Sequence, residues 1–241
     1  MEVLKFNLSG RTAFFKKPDV NTYLYFTYGS IHKMAVLGIL GAIMGMGGYN
    51  QQNESKSKFP EFYEKLKELK ISIVPKNEKG YIPKKVQVFN NSVGYASKEQ
   101  GGNLIIKEQW LESPNWDIYI IIDDSDINKE LKRRLEELNF EFIPYLGKND
   151  HFADINDIEC LKIEKLKEIK QIESYFPKNI LENIKLNSKK KYWKVEEILP
   201  IGIEEVANQY IYEKMLATNF EIEIKNSESV YEVNGKILYF I

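Results

Sequence analysis

The sequence predicts an α+β fold, and three observations support this prediction. Short alternating or wholly apolar segments, typical of strands, recur before, between and after segments that we expect to be helical. Apolar residues make up 43% of the 241 residues, which is enough for a substantial core. The single cysteine, Cys160, excludes a scaffold built on disulfide bonds. We therefore expect one good-sized domain, or one domain with a smaller extension.

Charge and termini narrow the class of protein further. The formal net charge is -1, so the chain lacks the overall positive field of many nucleic-acid-binding proteins. Any such role would have to come from local basic patches. The first ten residues, MEVLKFNLSG, have no long apolar segment of the kind found in a signal peptide. Together with the lone cysteine, this predicts a cytoplasmic protein.

The chain begins with a strand and then an aromatic and basic segment. Alternating apolar residues predict a first strand over Glu2–Ser9, which Gly10 ends. From Arg11 to Tyr28, lysines and an arginine are interleaved with phenylalanines and tyrosines. Basic groups neutralise phosphates and aromatic faces stack on unpaired bases, so this composition suits single-stranded nucleic acid. The alternative is a loop whose aromatic side chains fold back onto the core.

A helix that is buried on all sides is predicted to start at Ile31, with Ser30 as its N-cap. Each interior glycine costs about 1 kcal/mol of helix stability relative to alanine, so Gly38, Gly41 and Gly45 suggest close backbone approach to a sheet. Membrane insertion is the rival interpretation. The uncharged segment is shorter than the ~20 residues that a membrane span needs, so we expect a core helix and no membrane.

The first turn of this helix carries His32 and Lys33, where the helix dipole favours acidic residues. Free N–H groups, a hydroxyl and two basic side chains together predict an anion site, and phosphate is its usual occupant. The alternative is two solvated side chains at the start of a helix.

The remaining elements of the first two thirds alternate between strands and short helices. We expect an exposed loop at Gly47–Lys58, a short helix at Pro60–Leu69, a hairpin with arms Ile71–Val74 and Lys84–Asn90, strands at Leu104–Leu111 and Trp116–Ile122, a helix after Asp126, and a strand at Ile155–Ile163. With the hairpin treated as an insertion, this order is that of the split βαβ, ferredoxin-like arrangement. An antiparallel sheet with both helices on one face would explain the very apolar first helix.

The composition of the chain changes near residue 170, so we predict a ferredoxin-like domain over residues 1–170 and a smaller β-rich extension over residues 171–241. A charged amphipathic helix is expected at Lys165–Phe176. Strands are expected at Tyr192–Leu199 and Phe220–Ile224, and a terminal hairpin at Val230–Ile241 with its turn at Asn234-Gly235.

Two further clusters invite a binding role. Asp123, Asp124 and Asp126 suggest a metal site. Asp126 comes immediately before the next predicted helix, so capping explains it more simply, and no further carboxylate or histidine accompanies the three at ligand spacing. We therefore expect no metal and no cofactor. The turn at Gly147–Asn149 places Lys148 where it could meet a backbone phosphate, or could simply form a turn.

Three segments carry a resemblance to a known family. They are FNLSGRTAFFKKP (Phe6–Pro18), YLYFTYGSIHKMAVLGILGAIMG (Tyr23–Gly45) and YLGKND (Tyr145–Asp150). This combination resembles the Cas-five family of CRISPR-associated RAMP proteins, and especially its subtype I-B branch. The C-terminal third is similar only in general layout.

The resemblance implies that residues 1–170 form an RRM-like (RAMP) domain and that the protein is a subunit of a Cascade surveillance complex. In that family the subunit grips the 5′ handle of the crRNA and caps the backbone of RAMP-type subunits beside the large subunit, and target DNA is met through the complex. Matched by position to the family's motifs, seven residues become candidates for contact with the RNA: Arg11, Lys16, Lys17, Tyr28, His32, Lys33 and Lys148.

Two other functions remain open. Subtype I-C relatives act as metal-independent endoribonucleases on precursor crRNA. In this chain the catalytic groups of such a reaction would be Tyr28, His32 and Lys33, with His151 as an alternative. The chain departs from the cutting relatives because it has no Lys-His pair downstream of the hairpin, so we expect no enzyme. A purely protein-binding scaffold is the third possibility.

Overall fold

A computed structural model describes residues 2–19, 23–166, 168–186 and 190–241 of the chain. Within these residues the fold is mixed α and β and rich in strand. The helices are α1 (Lys33–Met44), α2 (Tyr49–Ser55), α3 (Glu61–Leu66) and α4 (Asp126–Glu136). The strands are β1 (Glu2–Ser9), β2 (Thr12–Ala13), β3 (Ile71–Pro75), β4 (Lys84–Asn90), β5 (Ile105–Glu112), β6 (Asn115–Ile122), β7 (Asp154–Glu164), β8 (Phe176–Pro177), β9 (Leu181–Lys185), β10 (Lys194–Ile203), β11 (Tyr210–Thr218), β12 (Glu221–Ile224), β13 (Val230–Val233) and β14 (Lys236–Tyr239).

The main sheet has the strand order β14-β13-β7-β1-β6-β3, and its neighbouring strands are antiparallel. Strand β1 lies at the centre of the sheet, where its alternating apolar side chains are buried. Phe6 of β1 pairs with Ile118 of β6, and Leu4 pairs with Ile120 of β6 and with Cys160 of β7. The expected first strand is confirmed at its predicted bounds.

The two edges of this sheet meet. Ile71 at the start of β3 and Ile241 after β14 exchange both backbone hydrogen bonds, at 3.2 and 2.9 Å. These bonds satisfy backbone groups that would otherwise be unpaired at two sheet edges. The sheet is therefore nearly closed into a barrel.

Helices α1 and α4 share one core with the inward face of the sheet. Leu37 and Leu40 of α1, Leu131 of α4, and Phe6 and Ile118 of the sheet belong to the same buried cluster. On the opposite face, Val233 of β13, Leu238 of β14 and Phe240 form a second buried cluster with Val3 and Tyr119 of the same sheet. The expected position of both helices on one face is confirmed.

Two expectations about α1 are wrong. His32, not Ser30, is the N-cap, because the Nδ1 atom of His32 accepts the hydrogen bond from Ala35 N at 3.2 Å. The glycines do not mediate an approach to the sheet. A Cβ atom on Gly41 would lie 2.5 Å from Cβ of Phe62 in α3, whereas one on Gly38 would meet nothing within 4 Å. Gly45 ends the helix with φ of 73°, a conformation that favours glycine.

The predicted hairpin arms are also wrong. Strand β3 pairs with β6, whereas β4 pairs with β5, so an inserted hairpin exists but its arms are β4 and β5. The segment expected to be an exposed loop contains the short helix α2.

The C-terminal strands form two small sheets, β10-β11-β8 and β12-β9, besides the terminal hairpin. The turn at Asn234-Gly235 is confirmed, with φ of 49° and 71°. The helix expected at Lys165–Phe176 is wrong: the described residues of that segment hold no helix, and Ile172 packs in the cluster formed by the C-terminal strands. Lys167 of that segment lies outside the described residues. The division at residue 170 stays a prediction, although Leu199 and Met215 share the core of α1.

In the described part of the chain, no helix is both long enough and apolar enough to cross a membrane.

Candidate nucleic-acid interface

The aromatic and basic segment forms an arm of two antiparallel stretches, residues 14–17 and 25–28, which we call the basic arm. Lys17 N donates to Phe26 O at 2.8 Å, and Tyr28 N donates to Phe15 O at 2.9 Å. Tyr25 adds the arm to the edge of β5, because Tyr25 N donates to Lys107 O and Gln109 N donates to Tyr25 O. The basic arm is thus a backbone extension of the β4–β5 sheet.

Arg11 and Lys16 present their charges to solvent. Both residues are exposed, and among the described residues neither forms an ion pair. The ammonium of Lys16 lies 4.0 Å from the centre of the Tyr25 ring. This cation–π contact holds the lysine on the surface of the arm without neutralising its charge.

Lys17 is placed differently. Its ammonium lies 2.9 Å from Glu197 Oε1 and 5.2 Å from the centre of the Tyr28 ring. The second oxygen of Glu197 accepts a 2.7 Å hydrogen bond from Gly29 N. A carboxylate of the protein therefore occupies the space beside the arm, close to the start of α1.

His32 and Tyr28 point inward. His32 is 5% exposed, and its ring makes edge contacts with Phe15, Tyr28 and Tyr210 at centroid distances of 6.0, 5.0 and 6.0 Å. Burial lowers the pKa of His32 to about 3, so the imidazole is neutral at pH 7. Burial, with the neighbouring Tyr212 hydroxyl, raises the pKa of Tyr28 far above its usual value, so this phenol stays protonated.

Lys33 does not complete an open anion site with His32. Its ammonium donates to the backbone oxygen of Ile241 at 3.2 Å, and burial lowers its pKa. The start of α1 therefore carries a neutral imidazole and a lysine bound to backbone. The anion site expected there does not have the geometry that the sequence suggested.

Lys148 lies beside the middle of the β4–β5 hairpin, next to the buried carboxylate of Glu108 on β5. Its ammonium is 3.3 Å from Glu108 Oε1, and Glu108 Oε2 accepts a 2.8 Å hydrogen bond from Trp110 Nε1. His151 is 2% exposed, packs edge-on against Trp110, and shares a 2.6 Å hydrogen bond with Thr12 Oγ1. Burial lowers the pKa of this histidine too. This cluster fixes the turn to the hairpin.

Of the three aspartates after β6, Asp123 binds the start of α4, whereas Asp126, the expected cap, is the first residue of the helix. Ser125 is the N-cap of α4, and Asp123 Oδ1 accepts hydrogen bonds from Ser125 N and Asn128 Nδ2. These bonds lower the pKa of Asp123 to about 2. In the parts of the chain that are described, no three His, Cys, Asp or Glu side chains are grouped so as to hold a metal ion.

The structure thus separates the predicted residues into outward and inward sets. Arg11 and Lys16 face solvent, Lys17 and Lys148 are paired with carboxylates, and the remaining three are inward. Sequence reasoning missed Glu197, Glu108 and the tyrosines of β11. Their only signal was polar or aromatic residues within strands, and no local pattern connects them to the arm.

The comparisons with known proteins concern the fold. No family model matches the chain, and no curated protein does. A solved chain described as "CRISPR RNA-guided surveillance complex" superposes with a TM-score of 0.55 at 10% identity, over 92% of this chain and 91% of that one. At this identity the likeness shows a shared fold.

Two other solved structures are similar at lower scores. A CRISPR protein from Archaeoglobus fulgidus has a TM-score of 0.47 at 10% identity, covering 99% of this chain and 98% of that one. A chain from the Type III-B Cmr-beta complex bound to cognate target RNA and AMPPnP also has a TM-score of 0.47, at 12% identity, over 98% of this chain and 86% of that one. Neither score is high enough to carry an argument.

Proposed function

We propose that the protein is a subunit of an RNA-guided CRISPR surveillance complex, in which it binds the RNA without cutting it. The observation that carries this proposal is the fold shared over 92% of the chain with a chain of such a complex. The strand order β7-β1-β6-β3, with α1 and α4 on one face, supports a ferredoxin-like, RRM-like N-terminal domain.

The finer assignment rests on the sequence signature. We assign the protein to a cytoplasmic type I-B Cascade complex, where it grips the 5′ handle of the crRNA. It caps the backbone of RAMP subunits beside the large subunit, and it meets target DNA only through the assembled complex.

The basic arm is the surface we assign to the RNA. Arg11, just before the arm, and Lys16 within it carry unpaired charges, and Tyr25 places an aromatic ring beside Lys16. Unpaired charges bind phosphate at little cost, whereas Lys17 and Lys148 must first leave Glu197 and Glu108. Arg11 and Lys16 therefore contribute most of the phosphate binding, and Tyr28, His32 and Lys33 support the arm from within.

Binding of handle-bearing RNA by the reconstituted complex tests this proposal. Wild-type protein should prefer RNA that carries the 5′ handle over the same RNA without it. The double variant Arg11→Ala/Lys16→Ala should bind more weakly, and the slope of log affinity against log salt should fall by about 0.7 for each phosphate that is no longer neutralised. Lys129→Ala/Lys162→Ala is a matched control, because both lysines are exposed on elements away from the arm.

Other results would separate the alternatives. No preference for handle-bearing RNA in the assembled complex would contradict the RNA role. Assembly with partner subunits but unchanged RNA retention in the arm variant would instead favour a protein-binding scaffold.

The absence of catalysis is part of the proposal, and the buried groups support it. A neutral histidine with a pKa of about 3 is a poor base and cannot supply a proton at pH 7. Repeat RNA incubated with the purified protein in EDTA should therefore remain intact. Specific cleavage that His32→Ala abolishes would show an endoribonuclease instead.

A further inference from the structure

An open cleft lies between α2 and the turn that joins β10 to β11. Its volume is about 720 Å³, within the usual range of ligand sites. Three tyrosines line it, Tyr49, Tyr210 and Tyr212, together with the side-chain amides of Gln52, Asn53 and Gln209. Among the described residues that line this amide–tyrosine cleft, none is charged.

The far wall of the cleft is held rigidly. The carboxylate of Glu204 accepts hydrogen bonds from the backbone N–H groups of Val206, Ala207 and Gln209, at 2.7, 2.7 and 3.0 Å. Asn208 adopts a left-handed conformation with φ of 53°. Its side chain connects the turn to α2 and the loop that follows, since its Oδ1 accepts from Gln52 Nε2 at 2.8 Å and its Nδ2 donates to Lys58 O at 3.0 Å. A strained residue held by several bonds is typical of a preorganised site.

Hydrogen-bonding groups in the cleft are left unused. Asn53 and Gln209 are exposed, and among the described residues their side-chain amides have no protein partner, so each can exchange water for the polar edge of a ligand. Tyr49 and Tyr212 are 45% and 41% exposed, which is high for large aromatic side chains. The cleft thus offers aromatic faces next to neutral donors and acceptors.

We propose that the amide–tyrosine cleft binds one unpaired nucleobase of single-stranded RNA. A base has two flat faces that stack on aromatic rings, and a polar edge that pairs with side-chain amides. It carries no charge, which matches the uncharged lining. A phosphate or a carboxylate would find no cation among the described residues that line the cleft.

The cleft is continuous with the basic arm. Pro18, which follows Lys16 and Lys17 in the chain, lines the mouth of the cleft. On the inner side, the hydroxyls of Tyr28 and Tyr212 lie 3.4 Å apart. A strand whose phosphates lie on the arm can therefore direct a base into the cleft. The inference rests on the proposed RNA role and specifies where a base is held.

Equilibrium binding of two probes by the full-length chain tests the inference. The probes are a 12-nucleotide oligouridylate and a phosphodiester of the same length in which every base is absent. The double variant Tyr49→Ala/Gln209→Ala should bind the oligouridylate about 5- to 150-fold more weakly, the range expected when one base no longer stacks. Its affinity for the abasic probe should equal that of wild type. Tyr81→Ala, which removes an exposed tyrosine outside the cleft, should change neither affinity.

The arm variant separates this inference from the proposed function. Arg11→Ala/Lys16→Ala should weaken both probes by the same factor, because it removes cations that neutralise phosphates. If the arm variant weakens binding and the cleft variant does not, the cleft holds no base and the RNA role stands. If wild type binds neither probe, the inference fails, whereas the proposed function is decided separately by handle-bearing RNA in the assembled complex.

A crosslink provides a second measurement that does not depend on variants. Oligouridylate with 4-thiouridine, irradiated on wild-type protein, should attach to cleft residues such as Tyr49 or Tyr212. Crosslinks confined to other surfaces would overturn the inference. So would a cleft variant that no longer binds partner subunits while keeping its RNA affinity, since the cleft would then bind protein.

Discussion

The ammonium of Lys17 lies 2.9 Å from Glu197, and the same carboxylate accepts a hydrogen bond from Gly29 N. One acidic side chain from β10 thus neutralises a lysine of the basic arm and also accepts a hydrogen bond from a backbone N–H near the start of α1. An RNA phosphate at this corner would have to compete with it. The charges that remain available are those of Arg11 and Lys16, which is why the proposed interface centres on them.

Replacing Glu197 with glutamine should increase RNA affinity. Glutamine can still accept the hydrogen bond from Gly29 N, but it releases the charge of Lys17, so the log–log salt slope should steepen by about 0.7. Removing the ion pair should cost at most about 1 kcal/mol of stability, because it is partly exposed. Gel-shift titrations at several salt concentrations measure the slope. Glu159→Gln, which releases Lys5 on the main sheet, should leave RNA affinity unchanged.

Two glycines of α1 should respond in opposite ways to alanine. Gly41→Ala should destabilise the protein by about 1–3 kcal/mol, because its Cβ would lie 2.5 Å from Cβ of Phe62. Gly38→Ala should stabilise it by up to about 1 kcal/mol, since a Cβ there meets nothing within 4 Å. Urea denaturation of both variants gives the two values. Equal effects at the two positions would contradict the packing described for α3.

Stability should fall as the pH falls below about 6.5. The folded state lowers the pKa of His32 from 6.5 to about 3, so the unfolded chain binds a proton that the folded chain excludes. Between pH 7 and pH 5 this difference alone removes about 2 kcal/mol. Denaturation midpoints at both pH values measure the total change.

The variant His32→Asn isolates this contribution. The variant loses the ring contacts of His32, so it should be less stable than wild type at pH 7. Asparagine is a good N-cap and does not titrate, so the variant should lose less stability than wild type on acidification. An identical pH dependence in the two proteins would show that His32 is not the group responsible.

Substitutions at the buried, hydrogen-bonded residues Ser30 and Trp116 should have coupled effects on stability. Ser30 Oγ accepts a 3.0 Å hydrogen bond from Trp116 Nε1 inside the core. Ser30→Ala leaves the indole N–H unpaired and should cost about 1–3 kcal/mol. In a double-mutant cycle with Trp116→Phe, the coupling energy should be about 1 kcal/mol. Additive effects would mean that the hydrogen bond contributes nothing measurable.

Local chemistry predicted several elements correctly. Alternating apolar residues gave the bounds of β1, the Asn234-Gly235 pair gave the terminal hairpin, and the apolar run after Ser30 gave a core helix. Each depends on residues that are neighbours in the chain. The helix expected at Lys165–Phe176 failed because the apolar residues of that segment pack against C-terminal strands without helical hydrogen bonds.

Strand pairing and the site could not be predicted in the same way. The sequences of β3 and β4 suit a hairpin with each other as well as they suit the partners they have, and only the assembled sheet selects β6 and β5. The inward position of His32 depends on Tyr210, and the charge of Lys17 depends on Glu197. Both partners are far away in the sequence.

By itself, therefore, the sequence determined the first strand, the buried helix, the terminal hairpin, and the positions of basic residues along the arm. These follow from side-chain periodicity and short-range backbone preferences, which act between neighbours. Only the tertiary structure decided which of those basic residues keep an unpaired charge and where an uncharged cleft opens beside them. Ion pairing, burial and cavity shape depend on groups that folding brings together from distant parts of the chain.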